Sequence, residues 1–191
     1  MLHFDIEDGC FVPMMALGTK IIAELRPLTR LPFDVHLMVK DPEWLIRPLA
    51  EIGVEMISVH YESCPYPRRT LALIDQHHVQ AGLAFNPKTP VPDLEFCLPY
   101  LRFILILSTE PEEGSPSYLP AIVDKISAGR QQPALQEIHW FIDGGISPDN
   151  IHEVCEAGYD GAICGRAIFK DGLISQNLST LKHIASNCQR S

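Results

Sequence analysis

Short apolar segments alternate with amphipathic segments along the chain. Seven apolar runs have the length of β-strands, and we predict strands at Leu2–Ile6, Phe33–Met38, Met56–His60, Ala81–Phe85, Phe103–Leu107, His139–Ile142 and Gly161–Cys164. Between them, apolar residues recur with helical spacing, as at Ile21, Ile22, Leu25 and Leu28. Strands that alternate with helices form parallel sheets covered on their faces. The pattern therefore predicts an α/β fold.

Caps, prolines and glycines indicate where the helices begin and end. Asp41-Pro42-Glu43 predicts the start of one helix and Gly53 its end, with a kink at Pro48. Ser147-Pro148-Asp149 and Gly158 mark another helix in the same way. Apolar spacing predicts further helices at Thr70–His78, around Leu94–Leu98, at Leu119–Ser127 and at Ile174–Ala185.

Two architectures fit this alternation, a closed (β/α)8 barrel and an open doubly wound sheet. No Gly-x-Gly-x-x-Gly motif or phosphate-binding P-loop follows the first strand, which argues against the open sheet. Polar residues collect at strand C-termini, where a barrel carries its active site: Asp5, His36, His60, Asn86, Ser108, Asp143 and Gly165. We therefore predict a TIM barrel that forms a single domain over residues 1–191.

The number of repeating units is one short of a complete barrel. A TIM barrel has eight βα units, and this sequence supplies seven. Because strand residues begin at Leu2, we expect the barrel to lack its first βα unit, which would precede Met1. The strands Leu2–Ile6 and Gly161–Cys164 are then expected at the two edges of the sheet.

Composition excludes several classes of function. A chain of 191 residues with 46% hydrophobic content can bury a sizeable core. The net charge of −9 argues against a nucleic-acid partner, and no apolar run is long enough to cross a membrane. There is no secretory signal at the N-terminus, and the six cysteines lack CxxC spacing, which predicts reduced thiols. We expect a cytoplasmic protein.

Three predicted strands carry residues that suit a metal ion. His3 and Asp5 are two positions apart in the first strand and so project from the same face. An imidazole beside a carboxylate is half of a metal site, and His36 and Asp143 could complete it. We expect these four side chains to converge at the mouth of the barrel. Two imidazoles and two carboxylates suit Zn2+, Fe2+, Mn2+ or Co2+.

Five motifs, in order along the chain, resemble those of the ribulose-phosphate 3-epimerase family. They are His3-Phe4-Asp5-Ile6-Glu7-Asp8-Gly9-Cys10-Phe11-Val12-Pro13, Asp34-Val35-His36-Leu37-Met38, Phe85-Asn86-Pro87-Lys88-Thr89-Pro90, Asp143-Gly144-Gly145-Ile146 and Gly165-Arg166-Ala167-Ile168-Phe169. Any one of them alone is a weak signal. Together they extend over most of the sequence and favour membership of the family.

The resemblance implies an enzyme that epimerises a ketose phosphate, of the ribulose 5-phosphate/xylulose 5-phosphate type, at C3 with a divalent metal ion. It implies that His3, Asp5, His36 and Asp143 bind the metal and that Asp5 and Asp143 are the acid–base pair. Inverting a carbon beside a carbonyl removes a proton from one face and returns one to the other, through a cis-enediolate. Residues expected to contact the sugar phosphate are Met38, Gly144, Gly145, Gly165 and Arg166. A homo-oligomer is compatible with this function.

The chain also departs from the family pattern. Glu7 and Leu107 occupy positions where the family has methionine, and the family's first-strand serine has no counterpart. The phosphate-cradling loop is replaced by the acidic segment Glu110-Pro111-Glu112-Glu113-Gly114-Ser115-Pro116, whose charges would repel a phosphate. We expect Arg166, where the family usually has serine, to compensate.

Two other functions remain open from the sequence. The first is an inactive or altered-substrate epimerase-like protein that acts as a binding or partner subunit. The second is another phosphate-binding barrel enzyme, such as an aldolase or a decarboxylase. Schiff-base chemistry has little support, because Lys88 is the only lysine near a strand C-terminus.

Overall fold

The computed structural model describes residues 1–110 and 117–188, and its centre is one mostly parallel, curled sheet. Along the sheet the strand order is β2-β1-β3-β4-β5-β6-β7-β8, and only the β1–β2 pair is antiparallel. The strands are β1 (Leu2–Asp8), β2 (Met15–Ala16), β3 (Phe33–Met38), β4 (Met56–His60), β5 (Gln80–Phe85), β6 (Leu101–Leu107), β7 (His139–Asp143) and β8 (Gly161–Ile163). The seven parallel strands are those predicted, and the TIM-barrel-type fold is confirmed.

Helices follow the strands as the alternation predicts. They are α1 (Thr19–Leu25), α2 (Glu43–Ile52), α3 (Pro67–Gln76), α4 (Val123–Arg130), α5 (Ile151–Glu156), α6 (Arg166–Phe169) and α7 (Ile174–Cys188). Helix α2 begins and ends as predicted, and Gly53 terminates it with a φ of 89°. After β5 the chain forms only a short 3-10 turn, Glu95–Cys97, since the surrounding prolines cannot continue a helix.

Several predicted boundaries were wrong by a few residues. Helix α3 begins at Pro67, because proline is well suited to the first helical position. Helix α5 begins at Ile151 rather than near Ser147, because residues 147–150 form a turn in which Asn150 Oδ1 accepts a hydrogen bond from the Ser147 N–H at 2.9 Å. Strand β2 and helix α6 were not predicted, since two and four residues are too few to show a period.

The core lies between the sheet and the helices that cover it. All six residues of β3 are buried, as expected for a parallel strand that is covered on both faces. The largest fully buried side chains include Trp140, Phe33, Phe85 and Phe103. Because the apolar core fixes the strands, the polar residues at their C-terminal ends are presented on a rigid frame.

The sheet is open in the described part of the chain. Strand β8 pairs with β7 alone, and β1 pairs on its outer side only at Glu7 and Asp8, with β2. These are the two edge strands expected from the sequence. Within residues 1–110 and 117–188, no helix is long and apolar enough to span a bilayer. All six cysteines are free thiols.

Candidate metal centre and active site

Strand register brings the first three predicted ligands together. In the β1–β3 pair, His3 lies opposite Asp34 and Asp5 lies opposite His36. Because side chains two residues apart share a face, all four project from the same side of the sheet. Asp143, the last residue of β7, is separated from them along the sheet by β4, β5 and β6. It reaches them nevertheless because the sheet curls.

The four predicted ligands form a compact cluster. One nitrogen or oxygen from each of His3, Asp5, His36 and Asp143 lies within 4.8 Å of all the others, and no other such group occurs in the described residues. His3 Nε2 is 3.3 Å from Asp5 Oδ1 and 3.8 Å from Asp143 Oδ2. His36 Nδ1 is 3.1 Å from Asp5 Oδ1 and 4.0 Å from Asp143 Oδ2. Two neutral imidazoles and two carboxylates at this spacing could hold a divalent cation.

A residue that was not predicted, Asp34, orients His3. Its Oδ2 lies 2.6 Å from His3 Nδ1, and the Asp34 side chain is almost fully buried. A carboxylate at this position accepts the Nδ1 proton, so Nε2, which faces Asp5 and Asp143, is the nitrogen left to bind a cation. Metal-binding histidines commonly have such a carboxylate partner, which fixes the ring and its tautomer. The donor chemistry at His3 therefore fits a metal ligand.

The two candidate catalytic aspartates lie in different electrostatic environments. Burial raises the pKa of Asp5, but hydrogen bonds with His3 and His36 lower it far more, so the pKa is strongly lowered. Burial also raises the pKa of Asp143; the charge of His3 opposes this effect and the nearby Asp5 adds to it, leaving the pKa raised. For His3, burial lowers the pKa, whereas the hydrogen bonds with Asp34 and Asp5 raise it well above its usual value.

Asp143 ends its strand at a turn that requires glycine. Gly144 and Gly145 have φ values of 116° and 66°, which L side chains rarely adopt. A Cβ on Gly144 would lie 2.5 Å from Thr109 Oγ1 and 3.0 Å from the Thr109 backbone nitrogen. The Ser108 backbone N–H donates to the Asp143 carbonyl at 2.7 Å, and Ser108 Oγ lies 2.6 Å from the Gly144 carbonyl oxygen. This contact assigns a positioning role to Ser108.

A cavity of about 910 Å³ opens in front of the cluster. The five residues predicted to contact substrate all line it: Met38, Gly144, Gly145, Gly165 and Arg166. Asp5 and Asp143 reach the cavity, and so does Lys170, which sequence analysis missed. Glu7 also lines it, and its buried Oε2 has no hydrogen-bond partner among the described residues. The cavity thus extends from the candidate metal-binding cluster to a basic end at Arg166 and Lys170.

Comparisons with known proteins identify relatives of the chain and structures that share its fold. The chain is 40% identical over 172 residues to the ribulose-phosphate 3-epimerase of Synechocystis, a match that covers 88% of this chain and 75% of the relative. It is 36% identical over 196 residues to ribulose-phosphate 3-epimerase 1 of Cupriavidus necator, covering 97% and 81%. Among solved structures, 3-keto-L-gulonate-6-phosphate decarboxylase of Vibrio cholerae superimposes with a TM-score of 0.68 at 17% identity, covering 98% and 97%. The last comparison concerns the fold alone.

The curled sheet and its helices form a TIM-barrel-type fold, and the named relatives place the chain in the isomerase class of enzymes. The profile of the ribulose-phosphate 3-epimerase family matches residues 1–169, and the chain belongs to that family. It is an epimerase, as its sequence motifs predicted.

Proposed function

We propose that the chain is a metal-dependent epimerase acting at C3 of a ketose phosphate, of the ribulose 5-phosphate/xylulose 5-phosphate type, in the cytoplasm. The observation that supports this most is the convergence of His3, Asp5, His36 and Asp143 at one cavity. Relatives at 33–40% identity are named for this reaction. The proposal extends their activity to this chain.

Two carboxylates in this arrangement suit inversion at one carbon. Asp5 comes from β1 and Asp143 from β7, so the two carboxylates reach the cavity from strands that are well separated along the curled sheet. One carboxylate removes the C3 proton from one face, and the other group, which starts protonated, donates its own proton to the opposite face. A bound Zn2+, Fe2+, Mn2+ or Co2+ would supply electrostatic stabilisation to the developing enediolate. His3 and His36 hold the centre in place, and the Asp34 carboxylate orients His3.

The phosphate end of the substrate is proposed to lie at the other end of the cavity. There the turn at Gly144 and Gly145 leaves its backbone accessible, and Arg166 and Lys170 provide positive charge. Glu110 lies at the same cavity, and the remainder of the acidic segment, residues 111–116, is outside the described residues. The positive charges of Arg166 and Lys170 offset the negative charge of Glu110. Lys88, considered for Schiff-base chemistry, is exposed and does not line the cavity.

Exchange of the substrate C3 proton tests the two-aspartate mechanism. Asp5→Asn and Asp143→Asn each remove one proton-transfer group, and each is expected to lower deuterium exchange at C3 of the epimer that this group deprotonates by at least about 100-fold. Asp124→Asn, on the exposed first turn of α4, is the matched control and should exchange as the wild type does. Near-normal exchange in both active-site variants would refute the mechanism. Wild-type protein that takes up no metal and has no turnover would favour the alternative of an inactive partner subunit.

A further inference from the structure

Behind His36 lies a second buried histidine that the proposed chemistry does not use. His36 Nε2 and His60 Nε2 are 2.9 Å apart, and both side chains are fully buried. The ring centroids are 4.9 Å apart, so the two nitrogens lie on the facing edges of the rings and point at each other. Of two nitrogens at this distance, one must donate a proton and the other must accept it. The direction of that hydrogen bond decides which nitrogen of His36 is left for a metal.

Glu62 determines the direction of the hydrogen bond between His60 and His36. Its Oε2 lies 3.1 Å from His60 Nδ1, and its Oε1 accepts the Asn86 backbone N–H at 2.9 Å. Burial raises the pKa of Glu62, but hydrogen bonds from His60, Thr89 and Asn86 lower it to about 2. Glu62 is therefore a carboxylate that can only accept, and His60 must place its proton on Nδ1.

The remaining proton positions follow from this assignment. Because the His60 side chain is fully buried, a charged ring would be costly, and the neutral ring carries one proton. With that proton on Nδ1, His60 Nε2 is an acceptor and His36 Nε2 must be the donor. The nitrogen of His36 left to bind a cation is Nδ1, which is the atom that lies 3.1 Å from Asp5 Oδ1.

The turn that binds Glu62 is itself held in place by a lysine of helix α4. Lys125 Nζ donates to the Asn86 carbonyl at 2.8 Å and to the Thr89 carbonyl at 2.7 Å. These bonds hold the turn at residues 86–89, which in turn supplies the backbone N–H and the Thr89 hydroxyl that bind Glu62. Helix α4 thus supports the position of Glu62, which contacts His60 behind the proposed metal centre.

We propose that Glu62 and His60 form a hydrogen-bonded relay that fixes the tautomer of His36 and presents its Nδ1 to the metal. Both are positioning residues, since neither reaches the cavity. The two histidines of the centre are then oriented differently, His3 directly by Asp34 and His36 through a second imidazole. The inference rests on the proposed metal dependence and deepens it, by assigning a role to two residues outside the ligand set.

Glu62→Gln tests the relay with little change of shape. If the amide oxygen of the new side chain keeps the Asn86 N–H, its NH2 group faces His60 Nδ1 and reverses the relay, which leaves the proton of His36 on Nδ1. We expect the zinc affinity, measured by chelator competition, to fall about 10- to 100-fold. His60→Leu removes the acceptor and should have a similar effect. On the exposed face of α5, His152 and Glu156 form a comparable pair, 3.4 Å apart, so His152→Leu and Glu156→Gln are matched controls expected to bind zinc normally.

A second readout observes the protons directly. In zinc-loaded wild-type protein with 15N-labelled histidine, long-range 1H–15N spectra should show His60 protonated at Nδ1 and His36 at Nε2. His60 protonated at Nε2 instead would overturn the relay, even where the His60→Leu variant fails to fold. Variants that bind zinc as the wild type does would overturn the relay alone. A wild type that binds no zinc would overturn the metal centre and the relay together.

Discussion

Asp143 depends on its immediate neighbours for its position. Its strand ends at two consecutive residues with positive φ, and the turn packs so closely against Thr109 that no Cβ fits at Gly144. Ser108 contacts the carbonyl oxygens of both Asp143 and Gly144, at 2.9 and 2.6 Å. The carboxylate is therefore held by main-chain geometry, and a change at Gly144 should move it.

Replacing Gly144 by alanine is predicted to reduce both stability and activity. The alanine would have to adopt a strained positive φ, and its Cβ would have to displace Thr109. We therefore expect a loss of about 1–3 kcal/mol in the free energy of unfolding. Gly172→Ala is the control, because Gly172 has a φ of 70° but open space around it. Urea denaturation and turnover would be compared for the two variants. Equal losses would contradict the role assigned to the Thr109 contact.

Single residues were predictable where the signal was local. The spacing of His3 and Asp5 and the family motifs identified the four residues of the cluster, although their role as ligands stays a prediction. Asp34 and Glu62 were missed, and Ser108 was predicted only as a polar residue at a strand end, without its contact to the Asp143 turn. Each acts on a partner distant in the sequence or through a hydrogen bond that only the register reveals. His60 was predicted only as one of the polar residues at strand ends, and it lies behind His36, outside the cluster of four.

At the scale of elements, helix α4 and strand β7 fit together through one small and one large residue. Gly129 of α4 lies directly against the ring of Trp140, which is fully buried in β7. A Cβ at Gly129 would lie 2.1 Å from Trp140 Cη2. Since Asp143 is three residues further along β7, this contact supports the strand that carries it.

Gly129→Ala is predicted to destabilise the protein, although alanine is the better helix former. The gain in helix propensity is about 1 kcal/mol, whereas overpacking against a buried tryptophan costs typically about 1–3 kcal/mol. Ser127→Ala, at an exposed position of α4, gains propensity without a clash and should be neutral or slightly stabilising. Chemical denaturation followed by tryptophan fluorescence measures both. A Gly129→Ala variant as stable as Ser127→Ala would show that the helix can move away from the ring.

Elements were predicted best where burial was continuous. The runs Phe33–Met38 and Met56–His60 are buried throughout and were predicted with the bounds that the structure shows. Helix starts were less certain, because local turns such as residues 147–150 compete with the helix for the same backbone groups. Strand β2 depends on its pairing with Glu7 and Asp8, which no local pattern reveals.

At the scale of the whole molecule, the candidate metal centre joins side chains from distant parts of one sheet. His3 and Asp5 lie on an edge strand, while Asp143 lies on β7, next to the opposite edge. The carboxylate of Asp143 is within 4.0 Å of His36 only because the sheet curls. The TIM-barrel class was predictable from the alternation of strands and helices. The amount of curvature was not, since it results from the packing of all the strands.

Zinc is predicted to stabilise the folded protein strongly. An ion bound only by the folded state, at a free concentration about 100 times its dissociation constant, adds about 2.7 kcal/mol, or roughly 5 to 10 °C in Tm for a chain of this length. Asp143→Asn should lose most of this increase in Tm, and Asp124→Asn should retain it. Differential scanning calorimetry with and without zinc provides the measurement. A wild-type Tm that does not change on addition of zinc would contradict the proposed metal centre.

The separation of these ligands along the chain has a consequence for biosynthesis. His3, Asp5 and His36 are synthesised well before Asp143, which emerges only as the sixth of the seven parallel strands is completed. A partly synthesised chain can therefore offer three ligands and no more. In the proposed metal centre, tight binding of the ion would require β7 to have docked, so the cation would stabilise only the completed sheet.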